Sequence, residues 1–380
     1  MRRPERGTGR AAKPMPCHPR VLFASTKPGS AANPFLRLLE QSLSSYVSVE
    51  FFSWRRALTG KYDVLHVHWP ESLVRTSGVF RSVAKLAACA LLFIRVWLLQ
   101  IPVVRTVHNV DPHERGRGLE RAALRILHSL ETVRIYLNES SENDYSRGVV
   151  ILHGTYPRPA SNVATQSRIA ARLLFFGQIR AYKGLDELLA AFTEYVRQEP
   201  RSGTVLRLVG EPVDKNYAES ARTRHNGSRV EFVLHRTSDE ALDDELAKCE
   251  GVILPYLKFY NSGAAILALS RNRPVLVPKS PSSESLRDEA GSEWVSTFEP
   301  PIDSADIQRF MAAIRERRTA APALRNRSWN EIGTAHLAAY EEALKASRSR
   351  APRRLWMRIA LDSLKHRAEV VRMSTYNAPK

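Results

Sequence analysis

The sequence predicts an α/β protein of two doubly wound halves, each a parallel sheet covered by helices, facing one cleft. Three observations carry this. Short apolar runs alternate with helical patterns along most of the 380 residues, as in sheets covered on both faces. The alternation breaks once, at a polar stretch around 155–167 that holds Pro157 and Pro159. The length allows two hydrophobic cores, and the apolar and charged fractions, 43% and 25%, are ordinary.

In chain order, residues 1–19 read as a disordered basic N-terminus. Strands follow at 20–26, 47–54, 62–68, 102–107, 132–137 and 148–152. Asn33 and Pro34 start a helix, an N-cap followed by proline. A long apolar run covers 79–104 and stops at Pro102, and 118–130 is helical. This first half is set at 20–154, and 155–170 is the crossing. The second half, 171–323, alternates strands at 172–176, 204–209, 229–234, 251–254, 274–277 and 294–298 with helices. A last helix at 324–347 closes the fold and crosses back. Residues 348–380 form a basic tail. There Met357, Leu361, Leu364, Ala368 and Val371 fall at helical spacing, flanked by arginines and Lys365. That pattern suits an anionic membrane surface. It equally suits a helix docked on the protein itself.

The net charge is +18, of which residues 1–20 carry +5 and 347–380 carry +7. Charge gathered at the ends points to an anionic surface. Nucleic acid is not expected as a partner, because the middle shows no basic stripe interleaved with aromatics. Cys17, Cys89 and Cys249 are far apart, so no zinc or redox pair is indicated and a reducing, cytoplasmic setting is expected. No apolar segment follows the basic start, so no secretory signal is read. Within 79–104 only nine apolar residues stand between Lys85 and Arg95, too few to span a bilayer. Two readings stay open for that helix, burial in the core or a position on the membrane interface.

Two stretches carry chemistry. Residues 172–184, RLLFFGQIRAYKG, read as a buried strand, a turn at Gly177 with Arg180 and Lys183, and a helix start at Gly184. Cations beside a helix N-terminus hold phosphate. The second is LPYLKFYNSG, 254–263, where Asn261 or Ser262 caps a helix whose first turn, Gly263-Ala264-Ala265, lets a ligand approach the backbone. The first alone reads equally well as an ordinary junction, and the second alone reads as a well-capped structural helix. Together, at strand carboxyl ends of one half, they make a diphosphate clamp. With no D-x-D triplet in the chain, no metal is expected in it.

These motifs resemble those of GT-B glycosyltransferases. FGQIRAYKG matches the family's phosphate loop. LRLVG, which ends at Gly210, and VILPYLKFYNSGAAILAL match in order and spacing. DVLHVHWPE, TVHNVDPHE and NSGAAILAL are similar to a bacterial exopolysaccharide subgroup that includes GDP-mannose-dependent glycolipid β-1,4-mannosyltransferases. The resemblance implies two Rossmann-like domains, the first for an acceptor and the second for a nucleotide sugar. It implies a nucleoside-diphosphate sugar, with GDP-mannose favoured, no further cofactor, and a lipid-linked saccharide acceptor. The enzyme would sit peripherally on the inner face of the plasma membrane. Gly177, Arg180, Lys183, Gly210, Tyr256, Asn261, Ser262 and Gly263 fall on the donor side. Gly29, Asn33, Asn109 and Glu71 fall on the acceptor side.

Two departures shape the expected mechanism. Retaining members carry paired glutamates across the donor loop, yet no acid occurs between Glu250 and Glu284. Inversion is therefore favoured over a retaining transfer from a UDP-sugar. Relatives often place Arg after the loop glycine, where this chain has Gln178, so the charge falls to Arg180 and Lys183. Inversion needs a base. His108 and Asp111, expected to open on the cleft, are the candidates, with His113 and Glu71 nearby. His66 and His68 share a strand face and are read as packing. A further alternative is an inactive GT-B-like assembly partner.

Overall fold

The computed structural model describes residues 18–27, 34–75, 79–108, 118–140, 143, 145–158, 169–316 and 320–349. The first half runs β1 (Arg20–Phe23), α1 (Phe35–Leu43), β2 (Ser48–Phe51), α2 (Trp54–Thr59), β3 (Val64–Val67), α3 (Glu71–Val74), α4 (Val79–Leu98), β4 (Val103–Val107), α5 (Gly118–Leu130), β5 (Glu131–Tyr136) and β6 (Gly148–Val150). The second runs β7 (Arg172–Phe176), α6 (Leu185–Gln198), β8 (Val205–Val209), α7 (Lys215–Arg224), β9 (Val230–Val233), α8 (Asp239–Lys248), β10 (Gly251–Ile253), α9 (Gly263–Ser270), β11 (Val275–Pro278), α10 (Pro281–Ala290), β12 (Val295–Phe298) and α11 (Ser304–Arg315). The last helix is α12 (Trp329–Ser349).

Two six-stranded sheets result, ordered β2-β1-β3-β4-β5-β6 and β12-β11-β10-β7-β8-β9. Neighbouring strands in both are parallel. Central strands such as β3, β5 and β11 are buried throughout, which explains their unbroken apolar character. The chain order reverses between β1 and β3, and again between β7 and β10. Doubly wound sheets open a crevice at such points, beyond the carboxyl ends of the strands.

Three local expectations need correction. The strand expected to reach 54 stops at Phe51, because Ser53 accepts a hydrogen bond from Arg56 N and caps α2. Helix α1 starts at Phe35 with Pro34 already helical and no side-chain cap, so Pro34 stands one position earlier than N1. Asn33 lies outside the described residues. The closing helix starts at Trp329, not 324. Asn326 holds φ +56°, which breaks a helix, and Ser328 Oγ then accepts from Glu331 N. The N-terminal stretch 1–17 and the tail 350–380 lie outside the described residues.

Helix α12 returns to the first sheet and completes its core. Ile332, Ala339, Tyr340, Ala343 and Leu344 pack with Phe23, Phe35 and Leu39. Helix α4 is two-sided. Cys89, Leu92, Phe93 and Val96 are buried against Leu65 and Leu73, while Phe80, Val83, Leu91, Ile94 and Leu98 are exposed. Burial accounts for only one of its faces. No described helix is long and apolar enough to cross a membrane.

Candidate active site

The second sheet's switch point joins the two phosphate-like stretches. Strand β7 runs into Gly177, whose φ of +119° suits glycine. The turn is fastened to the next strand end. Gly177 N bonds Val209 O at 3.0 Å, and Ile179 N bonds Glu211 O at 3.0 Å. Gly210 presses so closely that a Cβ there would stand 1.8 Å from the Gly177 carbonyl oxygen. A single 3-10 turn, Ala181–Lys183, then leads to Gly184 in the left-handed region. This turn was not foreseen from the sequence.

Gly184 also touches the loop after β10. A Cβ on it would lie 1.9 Å from the Pro255 carbonyl oxygen. That contact sets Lys183 beside Tyr256, with Nζ 5.4 Å from the ring centroid. Burial, and then the neighbouring Arg180, pull the Lys183 ammonium down to about 8. No carboxylate stands within ion-pair reach of Lys183 among the described residues. The Arg180 guanidinium lies 5.8 Å from the Tyr182 ring. Burial pushes the Tyr256 phenol up to about 12.

Across this turn stands the start of α9. Ser262 is its cap, accepting from Ala265 N at 3.2 Å; Asn261 precedes it. The first turn carries no acid, so its free N–H groups keep their pull on an anion. A Cβ on Gly263 would lie 2.8 Å from Tyr156 Oη and 3.4 Å from His153 Nε2. His153 Nδ1 donates to Gly154 O at 2.9 Å, which leaves Nε2 as an acceptor. Burial holds this imidazole down at about 4.

The halves are clasped here. Asn138 donates to the Tyr260 carbonyl. Tyr260 Oη donates to Asn143 Oδ1 at 2.6 Å, and Asn143 Nδ2 donates to Asn138 O at 2.9 Å. Arg327 donates to His153 O at 2.8 Å and pairs with Glu289 at 2.6 Å. Asn138, Tyr260, Asn261, Ser262, Ser282 and Arg327 line a small cavity between these elements. None of this clasp was read from the sequence, since its partners lie 117 and 122 residues apart.

The first sheet's strand ends are aromatic. His66 bonds Tyr340 Oη and Thr106 Oγ1, each at 2.8 Å, and its ring lies 4.1 Å from that of His68. Burial holds both well below the usual imidazole range. His108 stacks on Trp69 at 4.6 Å and meets the Phe35 edge at 5.2 Å. His108, expected to open on the cleft, is half-buried after β4. Its Nε2 is shielded and has no partner among the described residues, and burial lowers the group to about 3. Glu71 heads α3, partly exposed. Gly29, Asn33, Asn109, Asp111 and His113 lie outside the described residues.

Two parallel six-stranded sheets with crevices at their switch points, and a last helix returning to the first, are the architecture of GT-B glycosyltransferases. Solved structures agree. An Anabaena protein, HepE, in complex with UDP matches with a TM-score of 0.52 and 16% identity, over 91% of this chain and 99% of that one. A glycosyltransferase from Rickettsia africae matches at 0.55 and 11% identity, over 86% and 99%. The sucrose-phosphate synthase of Thermosynechococcus elongatus matches at 0.54 and 15% identity, over 94% and 100%. No family model matches the chain. Two sequences from Xanthomonas campestris pv. campestris, GDP-mannose:glycolipid 4-beta-D-mannosyltransferases, are each 38% identical over 326 residues, 85% of this chain and 92% of theirs. The chain belongs to this mannosyltransferase family, and it is a glycosyltransferase.

Proposed function

We propose that the enzyme moves mannose from GDP-mannose to a lipid-linked saccharide at an anionic membrane surface, on the cytoplasmic side, with inversion. The single observation that carries the donor site is Lys183. It is partly buried beside Arg180, has no described carboxylate partner, and stands opposite the capped start of α9. The Xanthomonas relatives are named for GDP-mannose and a glycolipid, and a β-linked product from an α-linked donor requires inversion.

In this reading residues 171–323 hold the nucleotide sugar and 20–154 the acceptor. An acceptor hydroxyl oxygen attacks the anomeric carbon as the bond to the diphosphate breaks. The hydroxyl proton goes to a base after β4. Asp111 suits that duty better than His108, whose depressed basicity makes it a weak acceptor. GDP leaves with its charge held by Lys183, Arg180 and the α9 amides around Gly263. Tyr256 and Asn261 contact the donor. Gly177 and Gly210 keep the phosphate loop close to the next strand. Glu71, Asn109, Gly29 and Asn33 face the acceptor. The cationic clamp serves where other transferases use a metal, so transfer proceeds in EDTA.

A thermal-shift panel of GDP, UDP and ADP tests this, because a ligand that binds only the folded state raises the melting temperature. GDP is expected to give the largest shift. Lys183→Ala removes that shift and lowers kcat/KM about a hundredfold or more. No shift with any of the three nucleotides sinks the donor site.

A further inference from the structure

We infer that the outer face of α4 and α5 is a seat for an anionic bilayer, with its leading edge at the acceptor rim of the cleft. This rests on the glycolipid reading above and adds where the lipid surface lies. Along α4 every third or fourth residue facing outward is apolar. Phe80, Val83, Ala87, Leu91, Ile94 and Leu98 are exposed in turn. Twenty residues of helix make this stripe about 30 Å long. Single exposed apolar residues mean little, but a continuous stripe marks a contact surface.

The neighbouring helix extends it. Helix α5 packs on α4 and exposes Leu119 and Ile126. Both helices follow parallel crossovers in the same direction, so they cover the same side of the sheet. Each starts at the carboxyl ends of the strands, where the cleft lies. Phe80 at 92% and Leu119 at 71%, the two most exposed large apolar residues among the described ones, therefore stand at the cleft end of the seat. A saccharide carried on a lipid would reach the cleft past them.

Charge selects the occupant. Helix α4 contains no acid and exposes Arg81, while Lys85 and Arg95 turn inward onto the Arg75 and Gly60 carbonyls. Helix α5 exposes Arg121 and Arg125, while its one acid, Glu120, lies 3.9 Å from Arg75. Apolar faces edged by cations fit the interface of an anionic membrane. A second copy of this face would set cation against cation. So would the chain's own tail, whose residues 347–380 carry +7. Helix α12 nevertheless ends beside the seat, because Ser347 donates to the Gln100 carbonyl just past the end of α4. The last described turn of α12 and the far end of α4 thus stand side by side.

Vesicle flotation of the full chain tests this, with phosphatidylcholine alone or mixed with phosphatidylglycerol. The parent is expected to float with the anionic vesicles. The triple variant Phe80→Ser, Leu91→Ser, Ile94→Ser is expected to bind them at least about tenfold more weakly, yet keep the parent's GDP-induced thermal shift. Arg81→Glu with Arg121→Glu and Arg125→Glu is expected to lose the preference for phosphatidylglycerol. Undiminished binding by the serine variant overturns the proposal. So does a polarity-sensitive dye on Leu91→Cys, in a Cys17→Ser background, that reports an apolar setting before vesicles are added, because the tail or a second copy then covers the face. A blue shift only on adding anionic vesicles supports it. Loss of the GDP shift in the parent, with flotation intact, is instead a failure of the donor-site reading.

Discussion

The two sheets end in opposite chemistries. At the first switch point the strand ends present rings: His66, His68, His108, Trp69 and Phe35, in contact with one another. At the second they present glycines and cations, Gly177, Gly184, Arg180 and Lys183. The imidazoles are held neutral by burial, whereas Lys183 is cationic below about pH 8. His66, His68 and Phe35 are buried, so the rings of the first end fill a core and hold its strand ends together. Backbone freed of side chains, with fixed cations, suits a diphosphate. The difference shows that one architecture used twice can be specialised by what is placed at the strand ends.

Acid breaks the first end before the second. Burial holds His108 down at about 3, His153 and His336 at about 4, and His66 and His68 well below the ordinary value. The unfolded chain protonates them near pH 6.5 and the folded chain does not. The stability they preserve is complete above pH 6.5 and is lost as pH falls, at about 1.4 kcal/mol per histidine per pH unit. Because these rings stand close together, charging one disfavours charging the next, and the loss draws on a typical margin of about 5–15 kcal/mol. The melting temperature, followed from pH 7.5 to 5, should drop steeply from about 6.5 downwards. A flat profile would mean that these rings are hydrated.

Next in size is Gly184→Ala. It places a methyl group against the Pro255 carbonyl at a left-handed position, and should cost about 3 kcal/mol. Chemical denaturation reads the loss, and GDP affinity should fall with it as Lys183 shifts. Alkali sharpens the comparison from the other side. Above about pH 8 the free Lys183 loses its proton, so the KM for the donor should rise by up to about tenfold per pH unit. The smallest effect is expected from Tyr260→Phe. It removes the bond to Asn143, worth about 1 kcal/mol. A donor KM raised about fivefold, with unchanged melting, would show that the clasp serves binding and not stability.

Much of this was legible in the sequence, and the reasons are physical. Strand β7 and helix α5 stand where the pattern placed them, because an unbroken apolar run and a 3.6-residue period are local signals. That Arg180 and Lys183 share the turn after β7 was legible because chain position alone places them there. The short helix α2 was not, since six residues give too little period to read. The 3-10 turn before Gly184 left no mark either. The shielding of His108 Nε2 beside Phe35 and Trp69 left no mark, because it depends on tertiary packing. The clasp of Asn138 and Asn143 on Tyr260 depends on two distant loops meeting, which no local pattern records.

Helix α12 has a consequence for how the molecule is made. Tyr340 and Leu344 sit in the same core as Phe23 and Leu39, and Tyr340 bonds the central strand through His66. A ribosome delivers the first sheet early and its missing wall last. Residues 171–316 can therefore settle during synthesis, while the half that emerged before them stays incomplete. A fragment ending near residue 316 should be sticky and chaperone-bound, whereas an open cut in the crossing, with both pieces supplied, should still assemble.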